Sequence, residues 1–183
     1  MIYQGQISGK WVTLKSASLD DLEFTYDIRQ DKERTKYMHR VDSGLDAQKE
    51  WLEWQMAEPQ DYFFVVRNKA GEPIGTYSIY NMRENKREAE IGRAILNGNA
   101  IENYETILLI RDFAFHELCL DKLISIILCN NKKSIGIVVK SGGIECRRVY
   151  DEHLNTDLIY YETTIEEYEK RRPKLMEVLN NIK

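Results

Sequence analysis

Glu88-Ala89-Glu90-Ile91-Gly92-Arg93-Ala94-Ile95-Leu96, a polar loop, Tyr104 to Leu118, and Leu123-Ile124-Ser125-Ile126-Ile127-Leu128 are the segments whose order decides the fold. The first follows the polar turn Asn81 to Arg87 and reads as a sheet strand. In the second, Ile107, Leu108, Ile110, Phe113, Ala114 and Leu118 recur at helical spacing. The third is a short, continuous apolar run of the kind found in strands buried on both faces. Strand, loop, helix and strand in this order predict a parallel pair joined by a right-handed crossover.

Upstream, Tyr62-Phe63-Phe64-Val65-Val66-Arg67 and Ile74-Gly75-Thr76-Tyr77-Ser78-Ile79-Tyr80 are strands joined by the turn-rich link Asn68 to Pro73, an antiparallel hairpin. Trp11 to Lys15 alternates and reads as a first strand. Ser18 then precedes the acidic turn Asp20-Asp21 as a helix N-cap, with the helix running to about Gln30. Asp46 to Met56 is a short amphipathic helix ended by Pro59. Downstream, Lys132 to Lys140 is a helix stopped at Gly142-Gly143, which suits a left-handed cap. Gly143 to Tyr150 and Leu158 to Thr164 form a final strand pair before the charged helix Ile165 to Asn181. The class is α+β: a mostly antiparallel central sheet containing one parallel pair, flanked by helices.

With 183 residues, 43% of them hydrophobic, residues 1–183 make one domain. The net charge of −4 comes from scattered residues, and no basic run could form a phosphate stripe, which argues against nucleic acid as a partner. Met1 to Lys15 lacks a signal-peptide apolar core, and no apolar segment approaches the roughly 20 residues of a membrane span. A cytoplasmic protein without a membrane partner is the expectation. Cys119, Cys129 and Cys146 are odd in number and lie in or beside apolar segments, as expected of buried, reduced thiols. His39, His116 and His153 show no ligand spacing, so no metal is expected.

Four local patterns narrow the class further. They are Gly75-Thr76-Tyr77-Ser78; Glu90 to Leu96; Phe113-Ala114-Phe115-His116-Glu117-Leu118-Cys119-Leu120-Asp121-Lys122-Leu123; and Asn131-Lys132-Lys133-Ser134 running to Lys140-Ser141-Gly142-Gly143. In order and spacing they resemble the GNAT (GCN5-related) N-acetyltransferases, in particular the ribosomal-protein-alanine acetyltransferase-like branch. The resemblance spans roughly Trp11 to Tyr168. A looser one, from Ile28-Arg29 through Tyr37-Met38-His39 to Gln48-Lys49-Glu50-Trp51, is to the acceptor region of bacterial nucleotide-sugar N-acetyltransferases.

The resemblance implies a GNAT fold whose parallel pair splays apart, with acetyl-CoA as cosubstrate and direct transfer to a primary amine in a ternary complex. The backbone of Ala94, Ile95 and Leu96 would pair with the pantetheine arm. The segment opening the next helix, including Asn103, Tyr104, Glu105 and Thr106, would receive the pyrophosphate on its free amides. Here the chain departs from the family's glycine-rich loop: Asn97-Gly98-Asn99-Ala100-Ile101-Glu102-Asn103-Tyr104-Glu105 has one glycine and two acidic residues, so coenzyme A should bind more weakly.

Asn131 and Ser134 would contact the coenzyme A arm, or else Asn131 simply caps its helix with Ser134 in the first turn. The family's general-acid tyrosine corresponds to Val138, which leaves Ser134, water or solvent to protonate the thiolate. Amine attack needs an unprotonated amine, so Glu90 is the candidate base, with Glu88 second on the same strand face. The alternative is a solvated glutamate.

Arg29, Met38, His39, Gln48, Trp51 and Tyr80 would form the acceptor pocket; His39 could act as base, and Trp51 and Trp54 are otherwise core anchors of their helix. The favoured acceptor is an amino sugar, free or nucleotide-linked, over a protein N-terminus. A non-catalytic GNAT-like binding module is the reading from another class, motivated by the missing glycines and Val138. Homodimers are common in such folds, and the residues fix no interface.

Overall fold

The computed structural model describes residues 1–38, 44–83, 85 and 87–181. Its strands are β1 (Ile7–Ser8), β2 (Val12–Ser16), β3 (Tyr62–Asn68), β4 (Pro73–Arg83), β5 (Glu88–Leu96), β6 (Lys122–Leu128), β7 (Ile144–Asp151) and β8 (Thr156–Thr164). They form one sheet in the order β1-β2-β3-β4-β5-β6-β8-β7. The helices are α1 (Leu22–Gln30), α2 (Leu45–Ala57), α3 (Ala100–Asp112), α4 (Lys132–Lys140) and α5 (Ile165–Asn181). Every neighbouring pair is antiparallel except β5 and β6.

Strand side chains alternate between faces, so β3 serves two cores at once. Tyr62, Phe64 and Val66 pack with Ile79, Ile91, Ile110 and Phe113 beneath α3 and α5, whereas Phe63 and Val65 pack with Leu52 and Trp51 against α1 and α2. Four aromatic rings, Tyr3, Tyr62, Phe64 and Phe113, meet edge to face or stacked at the centre of the first core. A third cluster, Ile127, Val138, Ile159 and Tyr161, seats α4 on β6 and β8.

Several sequence expectations shift in detail. A two-residue strand, β1, precedes the expected first strand and pairs with it. The expected helix over Tyr104 to Leu118 opens at Ala100, because Asn99 caps it: its Oδ1 accepts from the Ile101 and Glu102 amides, and Glu102 accepts from the Asn99 amide. At its far end it loosens into a π-helical turn, Phe113–Glu117. The glycine stop of α4 forms as expected: Gly142 takes φ +94, Gly143 N–H reaches Val138 O at 2.9 Å and Gly142 N–H reaches Val139 O at 3.2 Å.

Two burial expectations fail. Cys119 and Cys146 are exposed and Cys129 half-buried, since Cys119 lies past the π-turn and Cys146 on the edge strand β7. Trp54 is 52% exposed and anchors no core; Trp51 alone of the pair packs inward, edge-on to Phe63 at 5.1 Å. No helix among the described residues is long and apolar enough to cross a membrane.

Candidate active site

β5 and β6 pair only where Glu88, Ala89 and Glu90 face Lys122, Leu123 and Ile124. Beyond Ile124, β6 continues along β8 to Leu128, while β5 stays with β4 to Leu96. The edge of residues 91–96 that faces β6 therefore has no strand partner, and a buried backbone edge needs one from elsewhere. A cavity of about 1520 Å³ opens into this gap, walled by both strands and by α4, and it extends to α1, α2 and the loop after α1.

A β-bulge shapes the gap. Thr76 faces Ile95 and Ser78 faces Gly92, so β5 carries one extra residue at this point. Arg93 takes φ +50 to accommodate it. The bulge sends the Arg93 guanidinium to the α2 face, where it pairs with buried Asp61 and lies over the rings of Tyr80 (4.0 Å) and Trp51 (5.8 Å). β4 has to approach this bulge closely: a Cβ on Gly75 would sit 2.6 Å from Ile95 O.

Of the residues expected to hold the cosubstrate, Ala94, Ile95, Leu96, Asn103, Asn131 and Ser134 line the cavity. Tyr104, Glu105 and Thr106 do not. Because α3 begins at Ala100, their amides lie past its first four and belong to the helix interior. Glu105 is 3% exposed and serves the fold: Oε1 accepts from Lys10 N–H at 2.7 Å, and Oε2 from Trp11 and Val12 N–H at 2.6 and 2.8 Å. Thr106 is fully buried, its hydroxyl donating to Glu102 O. The helix end where a pyrophosphate would sit is occupied by the chain's own capping groups, Asn99 and Glu102.

Asn131 caps α4, accepting from Ser134 N–H at 3.2 Å. Ser134 and Val138, one turn apart, both border the cavity, and Val138 is also part of the α4 core.

At the acceptor end, Arg29, Met38, Gln48, Trp51 and Tyr80 come together on the cavity wall. Gln48 is almost fully buried and donates to Thr25 Oγ1 at 3.3 Å, so its amide ties α2 to α1. His39 lies outside the described residues.

Glu90 stands behind Tyr80. The two are register partners, and Asn81 Nδ2, turned by its φ of +51, donates to Glu90 Oε1 at 2.9 Å. Burial, then the Glu90 charge, push the Tyr80 hydroxyl up to about 12. Glu88 is 5% exposed and flanked by Arg83 and Lys122, each 3.1 Å away, which neutralise it. Arg93, Asp61 and Tyr77 join the site without a motif to mark them, and Gly92 before Arg93 is the one local signal of a bulge.

The Acetyltransferase (GNAT) domain model matches residues 12–144. The chain belongs to the GNAT acetyltransferase family. This GNAT protein is an N-acetyltransferase, and acetyl-CoA is its cosubstrate. The free edge of β5 meets the requirement of a cosubstrate whose arm is a chain of amides, and Ala94, Ile95 and Leu96 would hold it.

Solved structures share the fold. A GCN5-related N-acetyltransferase from Brucella melitensis superposes with TM-score 0.82 at 14% identity, over 97% of this chain and 86% of that one. The spermidine N-acetyltransferase from Vibrio cholerae, in complex with CoA and spermine, gives TM-score 0.79 at 19% identity, over 88% and 99%. FdhC, a nucleotide-linked sugar GNAT, gives 0.79 at 20% identity, over 97% and 99%. A comparison with curated proteins found no match.

Proposed function

We propose that this GNAT protein acetylates the primary amine of an amino sugar, carried on a nucleotide, by direct transfer within a ternary complex. The observation that carries the reading is the composition of the acceptor end: Trp51, Tyr80 and Tyr37 offer flat apolar faces to a sugar ring, beside Arg29 and Arg93. Among the described residues, Glu33 is the one carboxylate of that wall outside an ion pair, too little for a polycation. Asp31 is paired with Arg34 and Asp61 with Arg93.

The cosubstrate supplies an activated acetyl thioester. Glu90 draws the amine proton through the hydroxyl of Tyr80, its register partner on β4, which lines the cavity. The amine nitrogen forms its bond to the acetyl carbon as the carbon–sulfur bond breaks. Ser134, on the cavity side of the first turn of α4, donates to the departing sulfur directly or through water, where the family has a tyrosine at the position of Val138. A backbone amide of residues 94–96 polarises the carbonyl. No covalent enzyme intermediate is needed.

The test is thiol release from acetyl-CoA across a panel of acceptors: nucleotide-linked amino sugars, free amino sugars, spermidine and peptide N-termini. Turnover on the nucleotide-linked sugars supports the reading. Turnover confined to peptide N-termini or spermidine overturns it, and absence of acetyl-CoA binding in calorimetry at millimolar ligand would favour a binding module instead.

A further inference from the structure

Arg29 projects from the last turn of α1 into the acceptor end of the cavity, half-buried. It makes no hydrogen bond or ion pair with any described residue, whereas its neighbours are all engaged: Arg34 with Asp31, Arg93 with Asp61, and Lys36 over the ring of Tyr37. Arg93 also lies close enough to act on it as a like charge; burial first, and that charge second, push the Arg29 guanidinium below its usual value. A guanidinium carries its charge at any working pH, so the site stays cationic and poorly solvated. Burying a charge is unfavourable unless an opposite charge meets it. Nothing in the described chain does, which leaves the guanidinium open to an anionic group on a ligand.

The surroundings define its chemistry. Once the internal pairs cancel, Arg29 and Lys36 on the acceptor wall, with Lys132 and Lys133 farther along the cavity at the start of α4, face the single carboxylate of Glu33. An excess of several cations suits a multiply charged oxyanion, and the planar fork of arginine matches phosphate oxygens in a bidentate contact. The rings of Trp51 and Tyr80 beside it would flank the rest of the acceptor.

We infer that Arg29 is the anchor for a phosphate group on the acceptor and that this contact, more than the amine, selects the substrate. This rests on the reading of the site as an amine acetyltransferase, but it concerns binding and is tested without turnover. Phosphate could come from a nucleoside diphosphate or from a sugar phosphate, and both would present the same oxygens.

The experiment is calorimetric titration of uridine 5′-diphosphate, glucosamine 6-phosphate, glucosamine and spermidine into the protein and into its Arg29→Gln and Arg29→Lys variants. Coenzyme A is kept saturating so that the donor phosphate site is filled. At least one phosphate probe should bind, with affinity falling about 10- to 100-fold in Arg29→Gln and less in Arg29→Lys. Binding of the diphosphate identifies a nucleotide source, and binding of the sugar phosphate alone identifies the other.

Thermal melting supplies the second readout. An arginine that awaits a ligand leaves Arg29→Gln as stable as the parent or more so, and phosphate should raise the melting temperature of the parent but not of the variant. The inference is overturned if neither phosphate probe binds at millimolar concentration, if spermidine or glucosamine binds as tightly, if Arg29→Gln leaves phosphate affinity unchanged, or if Arg29→Gln is markedly less stable without ligand. Failure of every amine to release thiol would sink the proposed reaction and leave this binding result standing.

Discussion

Glu105→Gln separates a structural role from a cofactor-binding one. The carboxylate accepts three backbone N–H groups from residues 10–12, about ninety positions away in sequence, and so ties the β1–β2 turn to the first turns of α3. Glutamine keeps one acceptor oxygen. If that oxygen takes the two donors at Oε2, the new amide group points its own hydrogens at Lys10 N–H, and one bond becomes a donor–donor contact. Each bond to a charged acceptor is worth about 1.5–3 kcal/mol and a neutral one about half of that. Losing one bond and weakening two therefore costs about 3–6 kcal/mol.

For a domain of this size, that loss lowers the melting temperature by about 6–24 °C. Urea unfolding followed by circular dichroism measures it. Acetyl-CoA affinity of the folded variant, read by calorimetry below the transition, should stay within about threefold, since Glu105 borders no part of the cavity. A stability within about 1 kcal/mol of the parent, or a large loss of acetyl-CoA affinity in a fully folded variant, would refute the reasoning.

Gly9→Ala should act on the same tie, because a Cβ there would lie 2.4 Å from the Glu105 carboxyl carbon; a lowered melting temperature is the expected reading. Glu102→Gln keeps an acceptor for the Asn99 amide but removes a negative charge from the α3 N-terminus, so acetyl-CoA should bind about 3- to 10-fold more tightly in calorimetry; equal or weaker binding counts against a pyrophosphate there. Arg93→Met leaves buried Asp61 without its guanidinium, with the Gln55 amide and the Met1 ammonium as its remaining partners, and should cost up to about 3–5 kcal/mol in urea unfolding, most of it restored by adding Asp61→Asn. Tyr80→Phe should lower kcat about 100-fold with little change in the KM for acetyl-CoA. Because the Tyr80 hydroxyl is raised to about 12 in the fold, its contribution to stability is whole below the ordinary tyrosine value near 10 and is lost as pH rises through 12, which alkaline titration of tyrosinate absorbance follows.

The course of the chain was legible where pattern and period decide structure. The 3.6-residue spacing through Ile107, Leu108 and Ile110 and the apolar run of β6 locate the parallel pair, and Gly142-Gly143 marks the end of α4, because each signal is local. What escaped was set by contacts distant in sequence. Glu105 looks like a loop acid beside a phosphate site until the turn at residues 10–12 is brought to it. Arg93 looks like one more strand residue until the bulge turns it toward Asp61 and Tyr80. Cys119 sits in an apolar stretch, yet the π-turn carries it to the surface.

A shared fold with a spermidine acetyltransferase does not carry the acceptor across, and the charges explain why. A polyamine needs carboxylates that are unpaired and facing the cavity. Around this acceptor end, Asp31 and Asp61 are held by arginines, Glu88 lies between Arg83 and Lys122, Glu90 accepts from Asn81, and among the described residues Glu33 is the one wall carboxylate outside an ion pair. A polycation entering would find Glu33 for one charge, and for the others would have to break one of these pairs or approach Arg29 with like charge, which is unfavourable. An acceptor with phosphate at one end and an amine at the other meets the opposite situation: its anion takes the cation left over, and its amine is delivered beside Tyr80. The same substitution, Arg29→Gln, should therefore weaken phosphate-bearing acceptors while improving spermidine. A loss for both would mean that Arg29 shapes the cavity without discriminating charge.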